Sequence, residues 1–242
     1  MFLNLYKDTC FLADGSHVLI CIEQGEKRTH SITVISLART GISIIISPLK
    51  SMITNRLYVV DARGLAAGAL HSGVDSNARK KLLRDLKSAQ TKIKMLFITP
   101  ELVGYSDVVS FIETLDVQKR LATFILDEGH IVSDYTPDYR EEYAQPVSEL
   151  RAKYPNVNII AFTSFQTPYV IKDVVKRLHF CQSAVILKSP AIRPNIVYEK
   201  RNKDNLTDPL ADLLTFCLRS LGIIPDGRHD KNWVGRSLLT IM

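Results

Sequence analysis

Apolar residues along this chain fall into short continuous runs, and between the runs they recur every third or fourth position. The runs are "VLICI" (18–22), "SIIIS" (43–47), "AAGAL" (66–70), "KMLFIT" (94–99), "TFILD" (123–127), "NIIAFT" (158–163) and "AVIL" (184–187). Unbroken apolarity of this length, rich in β-branched residues, predicts strands buried on both faces.

The helical period is clearest in two of the intervening segments. "SNARKKLLRDLKSA" opens on a serine that predicts a cap at Ser76, with Leu82, Leu83 and Leu86 on one face and Arg79, Lys80, Arg84 and Lys87 elsewhere. "TPYVIKDVVKRLHF" predicts Thr167 as cap, Pro168 at the first helical position, and a stripe of Val170, Ile171, Val174, Val175 and Leu178. Strands alternating with amphipathic helices predict an α/β fold: a parallel sheet with helices on both faces, because each parallel pair needs a crossover. In such sheets ligands gather at the carboxyl ends of the strands.

Composition sets outer limits. The chain has 242 residues, 46% hydrophobic and 23% charged, enough for one large domain or a domain plus a fragment. Its net charge of +6 is compatible with a polyanionic partner without requiring one. Cys10, Cys21, Cys181 and Cys217 show no C-x-x-C spacing and read as reduced, mostly buried thiols. No run approaches the roughly 18 apolar residues of a membrane span. "MFLNLYKDTCFLADG" carries Lys7, Asp8 and Asp14 where an export signal needs an unbroken apolar stretch, so the chain reads as intracellular, with no membrane partner. Near residues 200–206 the texture turns polar ("RNKDNLTD"), and one amphipathic stretch, "DPLADLLTFCLRSL", follows. The expected organisation is a domain over 1–200 and a remainder, 201–242, too short for a second full domain.

Candidate chemistry concentrates after the fifth run, in "LATFILDEGHIVSDY" (121–135), where Asp127 and Glu128 follow a buried strand. A nucleotide hydrolase needs such a pair, one carboxylate for the magnesium shell and one to polarise the attacking water; an ordinary solvated turn has the same composition. Three other strand ends carry "SPLKS" (47–51), "TPEL" (99–102) and "TSF" (163–165). Each brings hydroxyls, and two bring a proline, to loops whose amides can meet phosphates.

In this order the segments resemble the first RecA-like domain, of P-loop NTPase type, of a RecQ-family DNA helicase of the Bloom-syndrome kind. "GISIIISPLKSM" resembles motif Ia, "KMLFITPELV" motif Ib, "FILDEGHIVSDYTPDYREEY" the DEAH-type motif II with its aromatic-rich loop, and "IIAFTSF" motif III. "RPNIVYEK" (193–200) resembles the passage toward the family's second lobe, and the likeness covers roughly residues 1–215. The resemblance implies an ATP-dependent, magnesium-requiring motor that moves 3' to 5' on single-stranded DNA and unwinds duplex or branched DNA in nuclear repair and recombination. It implies that Asp127 holds the Mg2+ shell through water, Glu128 acts as base, and His130 couples the site to Thr163 and Ser164. Ser47, Pro48, Thr99, Pro100, Tyr135, Tyr139 and Arg140 would meet nucleic acid, the tyrosines by stacking on bases or by packing within their loop.

The departures cluster at the nucleotide. The family's phosphate loop falls on "EQGEKRT" (23–29), where Gly25 and Thr29 are retained, Lys27 is adjacent, and Arg28 takes the place of the phosphate lysine. Such a loop turns backbone amides onto phosphates, so Glu26 brings bulk and negative charge toward the anion, and a planar guanidinium is no equivalent of an ammonium. Gly129 replaces the alanine of D-E-A-H, Phe165 ends motif III, Tyr135 and Pro137 stand for tryptophan and histidine, and Leu5 falls where an adenine-reading glutamine belongs. The resemblance therefore leaves open a motor lobe with weakened hydrolysis, with the 201–242 segment as the start of a second lobe or a divergent tail. A non-catalytic nucleic-acid or partner-binding module derived from such a lobe, and an incomplete product of a longer gene, are the alternatives.

Overall fold

The computed structural model describes residues 16–22, 26–135, 141–180, 184–189, 214 and 218, with 26 and 27 in backbone only. The chain divides into two compact units, Met1–Ala191 and Ile192–Met242. Of the amphipathic stretch in the second unit only Leu214 and Leu218, both helical, are described.

All seven runs are strands: β1 (Val18–Cys21), β2 (Ile42–Ile46), β3 (Ala67–Leu70), β4 (Met95–Ile98), β5 (Leu121–Leu126), β6 (Ile159–Thr163) and β7 (Val185–Lys188). They form one sheet in the order β3-β4-β2-β5-β6-β1-β7, and every pairing is parallel. The helices are α1 (Glu26–Ala38), α2 (Lys50–Asp61), α3 (Ser76–Lys87), the short α4 (Pro100–Val103), α5 (Ser106–Val117), α6 (Glu141–Lys153) and α7 (Pro168–Arg177). A 3₁₀ turn spans Gly129–Val132.

Strand alternation sorts the core into two layers. Val18, Ile20, Ile45, Phe97, Ile125, Ile160 and Phe162 point to the face covered by Ile32 and Ile35 of α1 and Ile53 and Val60 of α2. Leu19, Ile44, Ile46, Leu96, Phe124, Leu126 and Ile159 point to the opposite face, covered by α3 to α7. Both faces being apolar, the strand runs are continuous instead of alternating, as a doubly covered sheet requires. Gly41 opens β2 at φ +100, and a Cβ there would lie 2.3 Å from the Arg120 carbonyl oxygen, so glycine is required by conformation and by contact.

The helix caps differ in detail from expectation. Asp75, not Ser76, caps α3: its carboxylate accepts from the amides of Asn77 and Ala78 at 2.9 and 3.0 Å. An acceptor one residue earlier reaches both orphan amides, which leaves Ser76 as the first helical residue. Thr167 holds the cap position of α7 without a side-chain cap hydrogen bond, and Pro168 supplies the first turn. Among the described residues, no helix is long and apolar enough to cross a membrane. Cys21 is buried, and burial pushes its thiol up to about 11; the other three cysteines lie outside the described residues.

His17 fixes the start of β1. Its Nδ1 accepts from the Ile159 amide at 3.1 Å, and its ring stacks on Phe180 with centroids 5.0 Å apart. Burial, and next the charge of Arg151, hold the imidazole below its ordinary 6.5. The folded state therefore resists a proton that the unfolded chain accepts, so stability is full above pH 6.5 and falls as pH drops below it. Urea denaturation between pH 7 and about pH 5.5 is expected to show this decline, and His17→Asn, which keeps an acceptor without titrating, is expected to flatten it.

Candidate functional site

The carboxyl end of β5 lies at the middle of the sheet, and the backbone is tied down there before any side chain is considered. The Asp127 amide donates to the Ile46 carbonyl at 2.9 Å. The Tyr143 phenol, from α6, donates to the Asp127 carbonyl at 2.8 Å and also reaches the Ile46 carbonyl at 3.3 Å. Burial first, then the charges of Asp127 and Glu128, push this phenol well above its ordinary range, so it stays a donor.

Glu128 then turns the chain through the left-handed region, φ 60 and ψ 48. A non-glycine residue there costs on the order of 1–2 kcal/mol, and both carboxylates are buried and meet the same Arg28 nitrogen. Gly129 lets the turn press on β6: a Cβ would lie 3.1 Å from the Ala161 Cβ and 3.4 Å from the Phe162 carbonyl oxygen. An alanine there would need Ala161 to give by a few tenths of an ångström.

Two arginines meet the acidic pair. Arg28, in the first turn of α1, is fully buried; its Nη1 donates to Asp127 Oδ1 at 3.3 Å and to Glu128 Oε1, and its Nη2 donates to the Ile22 carbonyl at 2.6 Å. Arg56, from α2, donates to Asp127 Oδ2 from Nη2 at 2.6 Å and from Nε at 3.1 Å. Its remaining Nη1 donates to Thr29 Oγ1 at 2.8 Å. Ser47 Oγ completes the set on Asp127 Oδ2 at 3.1 Å.

His130 links this cluster to β6. Its Nδ1 lies 3.4 Å from Glu128 Oε2 and 3.4 Å from Thr163 Oγ1, and its ring packs on Phe165 with centroids 4.4 Å apart. Thr163 Oγ1 accepts from the Phe165 amide at 3.0 Å, which fixes the loop after β6.

The structure thus brings together Asp127, Glu128, His130, Arg28, Thr29 and Thr163, with Ser164 half-buried beside them in sequence. The expected nucleic-acid residues divide. Ser47 Oγ donates to Asp127, and Ser47, Thr99 and Pro100 are buried. For Ser47 the reason is the buried carboxylate beside it, which needs a donor where water has no access. Pro48 is half-buried, and Tyr135 is 66% exposed. Gly25, Tyr139 and Arg140 lie outside the described residues, as does the side chain of Lys27.

Sequence reasoning missed Arg56, Tyr143 and Tyr169. Arg56 shares the buried stripe of α2 with Ile53 and Val60, and a charged residue in such a stripe signals a buried partner. Tyr143 shares the buried stripe of α6 with Val147 and Leu150. Tyr169 is 74% exposed and packs against Tyr135 with ring centroids 6.2 Å apart.

A P-loop site holds its metal between the loop hydroxyl and the strand-end aspartate. Here the Arg56 guanidinium bridges those two groups, Thr29 Oγ1 and Asp127 Oδ2. As arranged, the side chains do not fit the divalent cation expected at Asp127.

An all-parallel sheet, an acidic turn at its central carboxyl edge and a helix following β1 define a RecA-like lobe of the P-loop NTPase class. The DEAD/DEAH box helicase profile matches residues 12–172, and the chain belongs to that family. Its curated relatives lie in the RecQ branch. The chain is 30% identical over 205 residues to mouse ATP-dependent DNA helicase Q5, which covers 85% of this chain and 21% of that protein. It is 32% identical over 163 residues to the RecQ-like DNA helicase blm-1 of Caenorhabditis elegans, 66% of this chain and 16% of that one. The chain therefore spans about a fifth or less of the length of these relatives. Among solved structures, a hypothetical ATP-dependent RNA helicase from Sulfolobus tokodaii matches with TM-score 0.53 and 13% identity, over 76% of this chain and 51% of that one, which bears on the fold alone.

Removing one partner of a buried ion pair leaves a charge that the fold cannot solvate. Arg56→Gln is expected to lower the unfolding free energy by about 3–5 kcal/mol, read from urea denaturation at pH 7. The exposed Lys153–Glu113 pair is the control, and Lys153→Gln is expected to cost about 1 kcal/mol or less.

Proposed function

We propose that this chain is the first motor lobe of a RecQ-type ATP-dependent DNA helicase, acting on single-stranded and branched DNA in nuclear repair and recombination. The observation that carries the reading is His130, within reach of both Glu128 on the acidic turn and Thr163 on β6. A group poised between the acidic pair and the loop after β6 is what a motor needs to tie a nucleotide-facing turn to a DNA-facing loop. Asp127 and Glu128 are the carboxylates of the hydrolytic turn in this reading, His130 and Thr163 its coupling pair, and Ser164 part of the coupled loop. The nucleotide is ATP. Glu128 is ion-paired to Arg28, so a base role requires Arg28 to move away first.

DNA contact falls to the exposed groups at the same edge. Lys50 and Ser51 at the start of α2 are exposed, and the Tyr135–Tyr169 pair offers two aromatic faces. Fluorescence anisotropy with a labelled oligothymidine is expected to show binding whose log affinity falls linearly with log salt, as phosphate contacts release counterions. Tyr135→Ala and Tyr169→Ala are each expected to weaken it by roughly 1–3 kcal/mol per stacked base. Affinity that ignores salt would sink the phosphate-contact assignment, and a double variant that binds as well as the parent would sink the role given to the tyrosine pair.

The second reading, a non-catalytic nucleic-acid or partner-binding module, is favoured by one observation: both carboxylates are already neutralised by arginines. DNA-stimulated ATP turnover that vanishes in Glu128→Gln decides for the motor, and its absence beside intact DNA binding decides for the module.

A further inference from the structure

We propose that Arg56, with Arg28 beside it, is the resident cation of this site, and that the acidic pair takes up no divalent metal while the two guanidiniums are in place. The proposal rests on the motor-lobe reading at one point only: Thr29 and Asp127 stand where a P-loop site holds its metal.

The argument begins with oxygen atoms. A divalent ion needs lone pairs directed at it, and each of the three oxygens on the two groups already faces a guanidinium. Thr29 Oγ1 accepts from Arg56 Nη1 at 2.8 Å. Asp127 Oδ2 accepts from Arg56 Nη2, Arg56 Nε and Ser47 Oγ, at 2.6, 3.1 and 3.1 Å. Asp127 Oδ1 faces Arg28 Nη1 at 3.3 Å, and the same nitrogen holds Glu128 Oε1.

Charge leads to the same place. Arg28 and Arg56 oppose Asp127 and Glu128 in ion pairs whose side chains are all at most 6% exposed, so the cluster is neutral in itself. A divalent ion added without displacing a guanidinium would leave uncompensated positive charge in a buried place, which the fold penalises heavily. The planar fork of Arg56 matches the span from hydroxyl to carboxylate, a geometry that the point charge of a lysine would not reproduce. Each arginine has a further anchor: Arg28 donates to the Ile22 carbonyl, and Arg56 belongs to the buried stripe of α2.

The test uses the whole purified chain with manganese as an ion visible by electron paramagnetic resonance, without nucleotide or DNA. Wild type is expected to show no saturable site up to millimolar ion, and its melting temperature is expected not to rise with magnesium. Arg28→Gln/Arg56→Gln is expected to gain one saturable manganese site, at least about tenfold tighter than any wild-type binding. Adding Asp127→Asn is expected to abolish that site.

Saturable wild-type binding that Asp127→Asn removes would overturn the proposal, as would a folded double-glutamine variant that still binds no ion. Should the double variant fail to fold by circular dichroism, the wild-type titration against Asp127→Asn decides alone. Because the assay holds no DNA, failure of the DNA-binding experiment leaves its outcome untouched, and the two ideas fail separately.

Discussion

A carboxylate with no exposure at all is among the most expensive groups a fold can carry, and Asp127 is one. Its tolerance depends on three elements delivering donors to one point: α1 with Arg28, α2 with Arg56 and the end of β2 with Ser47. The cluster thereby fixes how α1 and α2 sit on the sheet, since both helices pack on the same face and both end their reach at Asp127. Apolar packing on that face sets the layer, and the ion pairs set the register within it. A buried network of this kind restricts the arrangement more than it raises net stability, because desolvation offsets much of the attraction.

The opposite face secures the same residue through its backbone. Tyr143 holds the Asp127 and Ile46 carbonyls from α6, and Gly129 allows the following turn to press on Ala161. Side chain and main chain are thus held from opposite sides of the sheet. The central place of β5, between β2 and β6, makes this possible, because an edge strand would offer one neighbour only.

Much of this was legible in the sequence, for physical reasons that differ by residue. The seven strands announced themselves because a doubly covered parallel sheet demands continuous apolar runs. Asp127 and Glu128 were legible because polar residues directly after such a run must be turn or chemistry. Arg28 was singled out, but its pairing with these carboxylates was not, since the 99 and 100 residues that separate it from them leave no local trace. Arg56 was missed for the opposite reason: the helical pattern of α2 is weak, so one charge in its buried stripe did not stand out. Ser47, Thr99 and Pro100 were singled out by motif, but their burial was not legible, because spacing alone does not say which side of a strand end a side chain serves.

The Thr163 hydroxyl has one hydrogen and more than one claimant. It lies 3.2 Å from the Phe165 carbonyl, to which it can donate, and 3.4 Å from His130 Nδ1. When the hydrogen goes to Phe165, His130 Nδ1 can engage this oxygen only as a donor, so the imidazole must carry its proton on that side. When the hydrogen goes to His130, the Phe165 carbonyl loses that donor and the loop after β6 loses one of its two ties to Thr163. The tautomer of a histidine beside the acidic pair and the tether of a surface loop are therefore two readings of the position of one proton.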